Sequence, residues 1–364
     1  MEFLDLHAQY RSIQNEIDDA IAAVIRDSAF IRGPHVDMFE ARYADEVADT
    51  KHCVSCANGT DAIYIALRAL DLQPGDEVIT TAHTWIATSE TISQAGGQVV
   101  FCDTEDDYFC IDPDEIEKHI TERTKGIIPV HLYGQPADME PIMELARKYD
   151  LWVIEDCAQA HLARYKGELV GTFGDVATYS FYPGKNLGAM GDAGCLATDR
   201  DDVAEFARLF SDHGGKAEHV IEGMNSRMDG LQAAVLNVKM DYLRDWTDAR
   251  QKIARTYDER LEDVPGIQTP ARRPETEHVY HQYTIRSNDR DELKSFLAER
   301  GIPTSINYPR ALPFYPAYEY LNHQPEDFPV THRHMHQVLS LPIYPEMADS
   351  SVDNILNEIY NFVN

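Results

Sequence analysis

The stretch TYSFYPGKNLGAMGDAGCLAT, residues 178–198, decides how the rest of the chain is read. Two runs of strand character, Ala177 to Phe181 and Gly194 to Thr198, flank a turn rich in glycine and proline, and Lys185 stands in that turn. A lysine so placed aims its amine into a site, not into a core. It becomes a nucleophile toward carbonyl compounds when its surroundings lower its pKa. Most lysines are solvated surface charges, so the reading of Lys185 rests on its partners elsewhere in the chain.

Working outward, short apolar runs alternate with helical patterns. The strand candidates are His52 to Cys56, Glu77 to Thr80, Gln98 to Asp103, Gly126 to Val130, Trp152 to Asp156 and the two runs beside Lys185. Most are nearly continuous in hydrophobicity, and helix patterns such as Asp61 to Leu70 and Pro141 to Tyr149 separate several of them. Buried strands with intervening helices predict a mainly parallel seven-stranded sheet covered on both faces, an α/β architecture. Amphipathic spacing predicts helices over Ser12 to Val24, Val36 to Val47 and Arg227 to Tyr257. After Val264-Pro265-Gly266 the texture changes. A strand at Tyr280 to Arg286, a helix from Asp289 to Arg300 and a Pro/Tyr-rich segment from Tyr308 to Tyr320 predict a small α+β domain. The expected division is a large domain over 1–245, with an N-terminal helix, and a small one over 246–364.

The 364 residues suffice for a large core, and a hydrophobic content of 43% fits a globular protein. No apolar run approaches the roughly 20 residues a membrane-spanning helix needs, and the start MEFLDLHAQYRS lacks a secretory pattern, so a cytoplasmic protein is expected. Acidic side chains outnumber basic ones 62 to 32, for a net charge of −30. That balance argues against nucleic acid as a partner and fits a protein kept soluble in strong salt. Cys53 and Cys56 form a C-x-x-C, but no second pair with zinc-like spacing follows; they read as small residues of a buried strand, and no metal is expected.

Three strand ends carry residues that suit Lys185. Asn58-Gly59-Thr60 opens the helix at Asp61, where a close-approaching backbone and exposed N–H groups suit a phosphate. Asp156 ends the run LWVIED, and Gln159 follows three residues later. Ser180 lies five residues before the lysine. In a pyridoxal phosphate (PLP) site, an aspartate keeps the pyridine nitrogen protonated and makes the ring an electron sink. Trp85, in AHTWIAT, supplies a flat face on which such a ring can stack.

With these residues in order, the chain resembles, over essentially its whole length, the sugar aminotransferases of the DegT/DnrJ/EryC1/StrS group, which have the aspartate-aminotransferase fold (PLP fold type I). The matching motifs are ANGTDAIYIALRAL at 57–70, PGDEVIT at 74–80, HTWIATSETI at 83–92, PVHLYGQPADM at 129–139, VIEDCAQAH at 153–161, SFYPGKNLGAMGDAG at 180–194 and NSRMDGLQAAVL at 225–236. The resemblance implies that Lys185 joins PLP as a Schiff base, Asp156 binds the pyridinium nitrogen and Gln159 contacts the phenolic oxygen. It also implies that Trp85 stacks on the ring and that Gly59, Thr60 and Ser180 hold the phosphate. Asn225 would reach the phosphate of a neighbouring subunit, which implies a homodimer with shared sites.

The activity so implied is ping-pong transamination: L-glutamate leaves its amine on the cofactor, departs as 2-oxoglutarate, and a nucleoside-diphosphate ketosugar accepts the amine. The Asn-Leu-Gly after the lysine, the following Gly-Asp-Ala-Gly and His161 are more similar to members acting on 3-keto sugars, of 6-deoxyhexose or hexuronic type, than to those acting on 4-keto sugars. His161, Tyr182, Lys216, Arg227 and Tyr308 are the substrate candidates. Asn307-Tyr308-Pro309 departs from the His-Tyr-Pro of many relatives, and Leu312-Pro313 from a Pro-Leu-His pattern. Lys185 argues against the related dehydratases, which carry histidine there. An amino-acid transaminase would need a carboxylate-binding arginine such as Arg286 or Arg310, and a non-catalytic sensor would keep the fold without turnover.

Overall fold

The computed structural model describes residues 1–364. Its central sheet contains β1 (His52–Cys56), β2 (Glu77–Thr81), β3 (Gln98–Cys102), β4 (Thr124–Ile128), β5 (Trp152–Asp156), β6 (Val176–Ser180) and β7 (Gly194–Thr198). They lie in the order β1-β7-β6-β5-β4-β2-β3. Pairing is parallel from β3 through to β6, while β7 is antiparallel to both β6 and β1. The expected seven-stranded, mainly parallel sheet is therefore present, with β7 as its reversed member.

Successive strand residues enter opposite cores, as the pleat requires. Cys53, Ile127, Val153 and Ala177 join one apolar cluster, and Val54, Ile128, Ile154 and Val176 join the other. Burial on both faces explains why these strands are nearly continuous apolar runs. Cys53 and Cys56 fall on opposite faces and cannot act together, and all six cysteines are buried and free.

Helices α1 (Gln14–Asp27), α2 (Pro34–Tyr43), α3 (Gly59–Ala69), α4 (Ala87–Gln94), α5 (Met139–Tyr149) and α6 (Asp201–Phe210) cover or flank the sheet. The expected helix at Arg227 to Tyr257 is two helices, α7 (Gly230–Met240) and α8 (Leu243–Leu261). The break at Asp241-Tyr242 carries neither glycine nor proline, so the apolar period runs through it undisturbed and conceals it.

A third core gathers the second half of α8, the antiparallel pair β8 (Tyr283–Arg286) and β9 (Val338–Leu341), α9 (Arg290–Glu299) and α11 (Asp349–Val363). Leu243 of α8 packs in the sheet's core and Ile253, Tyr257 and Leu261 pack in the third core. The expected boundary at 245 and 246 thus falls inside a continuous helix. Leu312, Tyr318 and Phe328 return to the core of the sheet, so the segment between β8 and β9 straps the third core onto the first body. Helix α10 (Pro329–Gln337) follows that strap; its Val330 and Thr331 amides donate to Asp103, which ends the β3 edge, at 2.9 and 2.8 Å.

Candidate active site

At the carboxyl ends of β1, β5 and β6 lies a cavity of about 510 Å³, where open α/β sheets hold their ligands. Asn58, Gly59, Thr60, Trp85, Thr88, Asp156, Gln159, Ser180, Tyr182, Lys185 and Tyr308 all line it. The sequence-predicted cofactor residues other than Asn225 are therefore brought together.

Its floor follows from local structure. Asn58 caps α3, accepting from the Asp61 amide at 2.8 Å, and leaves the first backbone N–H groups of the helix facing the cavity wall. A Cβ on Gly59 would stand 2.6 Å from Ser180 Cβ, and one on Gly194 would stand 2.3 Å from the Asn58 carbonyl carbon. Both glycines are required by this close approach of helix start to strand end. The result is a tight cradle of backbone N–H groups and a hydroxyl, the donor set a phosphate needs.

Asp156 ends β5 and is 5% exposed. Thr88 Oγ1 donates to its Oδ2 at 2.9 Å and the Ala158 amide to its Oδ1 at 3.1 Å. Burial still raises its pKa above the usual carboxylate range, although these donors and the nearby Lys185 oppose the shift. A buried acid in that condition is stabilised by an arriving cation. Lys185 shows the converse: burial lowers its pKa to about 8, more than Asp156 restores it. Its amine thus becomes a free base at a lower pH than an ordinary lysine does.

Gln159 accepts from the Tyr133 amide at 2.6 Å and donates to the Tyr308 hydroxyl at 3.1 Å. Tyr308 in turn lies against Trp85, with ring centroids 5.8 Å apart. Trp85 and Tyr182 are 57% and 60% exposed at the mouth, open faces for a ring or substrate.

Four candidates do not reach this cavity. His161 is fully buried, stacked beside Tyr179 and Phe181, with Nδ1 at 2.8 Å from the Tyr43 hydroxyl and Nε2 at 3.1 Å from the Ser180 carbonyl. Burial pushes its pKa down to about 3, so it is a neutral prop beneath β6 and not a sugar contact. Asn225 and Lys216 are exposed and lie outside the cavity lining, and Arg227 pairs with Asp212 at 2.6 Å. Ser226 between them anchors their loop to the cradle by donating to Asp61 at 2.6 Å. Arg286 is held by Asp106, and Arg310 is exposed near Phe314, so neither arginine offers a carboxylate site here.

Thr88, Arg250, His281 and Gln282, which the sequence does not single out, also line the cavity, as does Asn307, the first residue of the departure from His-Tyr-Pro. Thr88 sits beside a helix start, where a threonine has many uses, and the others are brought here by tertiary packing. His131, Glu155 and Cys157 cluster with metal-like spacing. Glu155, however, accepts from His131 and from the Gly171, Phe173 and Gly174 amides, and His131 Nδ1 accepts from the Ala137 amide. These groups are already satisfied by the protein.

Residues 11–360 match the DegT/DnrJ/EryC1/StrS aminotransferase family. The chain is 45% identical to a pleiotropic regulatory protein of Geobacillus stearothermophilus, covering 99% of this chain and 97% of that one. It is 42% identical to the dTDP-3-amino-3,4,6-trideoxy-alpha-D-glucose transaminase of Streptomyces venezuelae, covering 98% and 94% respectively. Among solved structures, S. venezuelae DesV in complex with a ketimine intermediate superposes with a TM-score of 0.97 at 40% identity, covering 100% of this chain and 98% of that one.

Proposed function

The chain belongs to the DegT/DnrJ/EryC1/StrS aminotransferase family, and from that premise we propose that it transfers an amino group to C3 of a nucleoside-diphosphate ketosugar, using PLP and taking the amine from L-glutamate. The observation that carries this reading is a lysine with pKa lowered to about 8 sharing a cavity with a buried aspartate and the Gly59–Ser180 cradle.

These residues fit the cofactor's chemistry. The start of α3 and the Ser180 hydroxyl would hold its phosphate, Lys185 its aldehyde, Asp156 the proton of its pyridine nitrogen, and Trp85 a face of its ring. PLP, when bound, supplies an electron sink for the bond broken at the donor's α-carbon. Thr88 and the Ala158 amide fix Asp156 in one orientation. Lys185 Nζ, when free of the cofactor, would be a base of suitable strength to carry a proton between the substrate carbon and the cofactor carbon in each half-reaction. Gln159 and Tyr308, joined by a hydrogen bond, line one side of the cavity.

The active unit in this reading is a homodimer. Asn225, Lys216 and Arg227 lie outside their own cavity on a loop fastened to it through Ser226, a placement suited to serving the site of a second copy. No helix is long and apolar enough to cross a membrane, which agrees with the cytoplasmic placement proposed for the protein. The regulatory name of one relative favours a second reading, a cofactor-binding protein without turnover; the presence of both Lys185 and Asp156 in one cavity weighs against it.

An absorbance spectrum of the purified protein, before and after L-glutamate and then with 3-keto and 4-keto nucleotide sugars, tests both. The expected result is a yellow band that glutamate bleaches and a 3-keto sugar restores. Restoration by a 4-keto sugar alone would move the amination to C4, and a band unmoved by any donor would favour the non-catalytic reading.

A further inference from the structure

Helix α8 buries a stripe at Leu243, Trp246, Arg250, Ile253, Tyr257 and Leu261, and one position of that stripe is a guanidinium. Arg250 is 3% exposed and lines the cavity. Its Nη1 donates to the carbonyls of Tyr280 at 3.2 Å, His281 at 3.5 Å and Ile343 at 2.9 Å, while its Nε is buried without an acceptor. No carboxylate of the chain pairs with it. Glu346, the acid whose field reaches it, makes no hydrogen bond with it and leaves both of its own oxygens unpartnered. Burial draws the guanidinium down to about 10. A buried cation hydrogen-bonded only to carbonyls, with its one nearby acid making no hydrogen bond to it, is incompletely compensated, and it gains most from a carboxylate that it can bind by charge-assisted hydrogen bonds.

The neighbouring wall has the same character. The side-chain oxygens of Gln282 and Asn307 are buried and unpartnered, and a half-turn of either amide would present its NH₂ to an anion instead. This wall is tied to the reactive lysine. Asn186, next to Lys185, donates to the Val279 carbonyl at 3.0 Å and meets His281 Nδ1 at 3.3 Å, and the His281 carbonyl accepts from Arg250.

Resting on the transamination reading above, we propose that Arg250 receives a carboxylate of the amino donor, beside Gln282 and Asn307, and so selects an amino acid over a simple amine. A ketosugar acceptor of the 6-deoxyhexose type, the kind used in the test below, has no carboxylate to present at this wall. Arg250 therefore acts in the donor half-reaction and is silent in the other.

The test compares Arg250→Gln and Arg250→Lys with the wild type, all loaded with PLP. Binding of glutarate, a dicarboxylate with no amine to transfer, is measured by calorimetry, and the two half-reactions are followed separately by absorbance. A lost charge-assisted hydrogen bond predicts about a 10- to 100-fold weakening for glutarate and for glutamate in R250Q, with the ketosugar half-reaction changed less than about threefold. R250K keeps the cation that the three carbonyls need but loses the fork, so it should fold where R250Q does not and still show weakened donor binding. Wild-type-like glutarate affinity in a folded variant overturns the proposal, as does a loss that falls on the ketosugar. A wild type that binds no glutarate overturns it too. Whether glutamate's amine reaches a ketosugar in the wild type is read independently and decides the activity itself.

Discussion

At the residue scale, the lowered pKa of Lys185 has a directional consequence. Only the free amine attacks an aldehyde, and burial makes that form available from about pH 8 instead of the ordinary lysine value. Uptake of PLP by the cofactor-free protein should therefore rise through about pH 8 and level off above it; below pH 8 the protonated amine is inert. Stopped-flow absorbance across pH 6–10 (a range of about four units around that value) measures this. A rate still climbing above pH 9.5 or so, toward the ordinary lysine pKa, would mean a solvated lysine. The amine and its aspartate were legible because each ends or leaves an apolar run, where a charged residue has no packing role. Thr88 was not, since a threonine beside a helix start has many uses. Arg250 left a fainter trace: α8 is rich in charge on every turn, and only a helical wheel shows that this arginine occupies the apolar stripe. His161 misled for the opposite reason, because a histidine in a site-like motif and one wedged between aromatic rings are written with the same letter.

At the scale of elements, the cradle depends on how closely α3 approaches β6. Gly59→Ala would place a methyl 2.6 Å from Ser180 Cβ and 3.1 Å from its Cα, and the backbone atom cannot turn aside. The helix start must then withdraw from the strand end. We expect PLP affinity to fall by at least about tenfold, with a stability loss on the order of 1–3 kcal/mol. Fluorescence titration and a thermal melt check both, and an unchanged affinity would remove the cradle from the phosphate's binding. Strands were the most legible elements, since burial on two faces writes them as short unbroken apolar runs. The Ala87–Gln94 helix, β9 and α11 were not assigned in advance. Val338–Leu341 is a four-residue strand with no turn signal joining it to its partner β8, because the strap intervenes.

At the scale of the whole molecule, the homodimer proposed above, with sites shared between chains, predicts complementation. Lys185→Ala inactivates the chain that holds the lysine, and Asn225→Asp puts a like charge against the phosphate of the other. Each variant alone should be inactive or nearly so. After subunit exchange, a mixed dimer keeps one intact site, and an equal mixture should recover about a quarter of wild-type activity. No recovery, with exchange verified by mass spectrometry, would mean that each chain serves only itself. This level was the least legible in the residues themselves, where only the family resemblance gives a surface loop with asparagine, lysine and arginine an addressee.

The strap from Leu312 to Phe328 leaves the third core, packs into the core of the sheet and returns at β9. The chain therefore passes between its two bodies more than once after α8, and no single cut separates them. A fragment ending before the strap would leave apolar surface on the sheet's side uncovered, and one beginning after α8 would lack half of its own packing. In evolutionary terms the C-terminal body is not a free cassette: exchanged between relatives, it would carry the strap with it and have to fit Leu312, Tyr318 and Phe328 to a foreign sheet core.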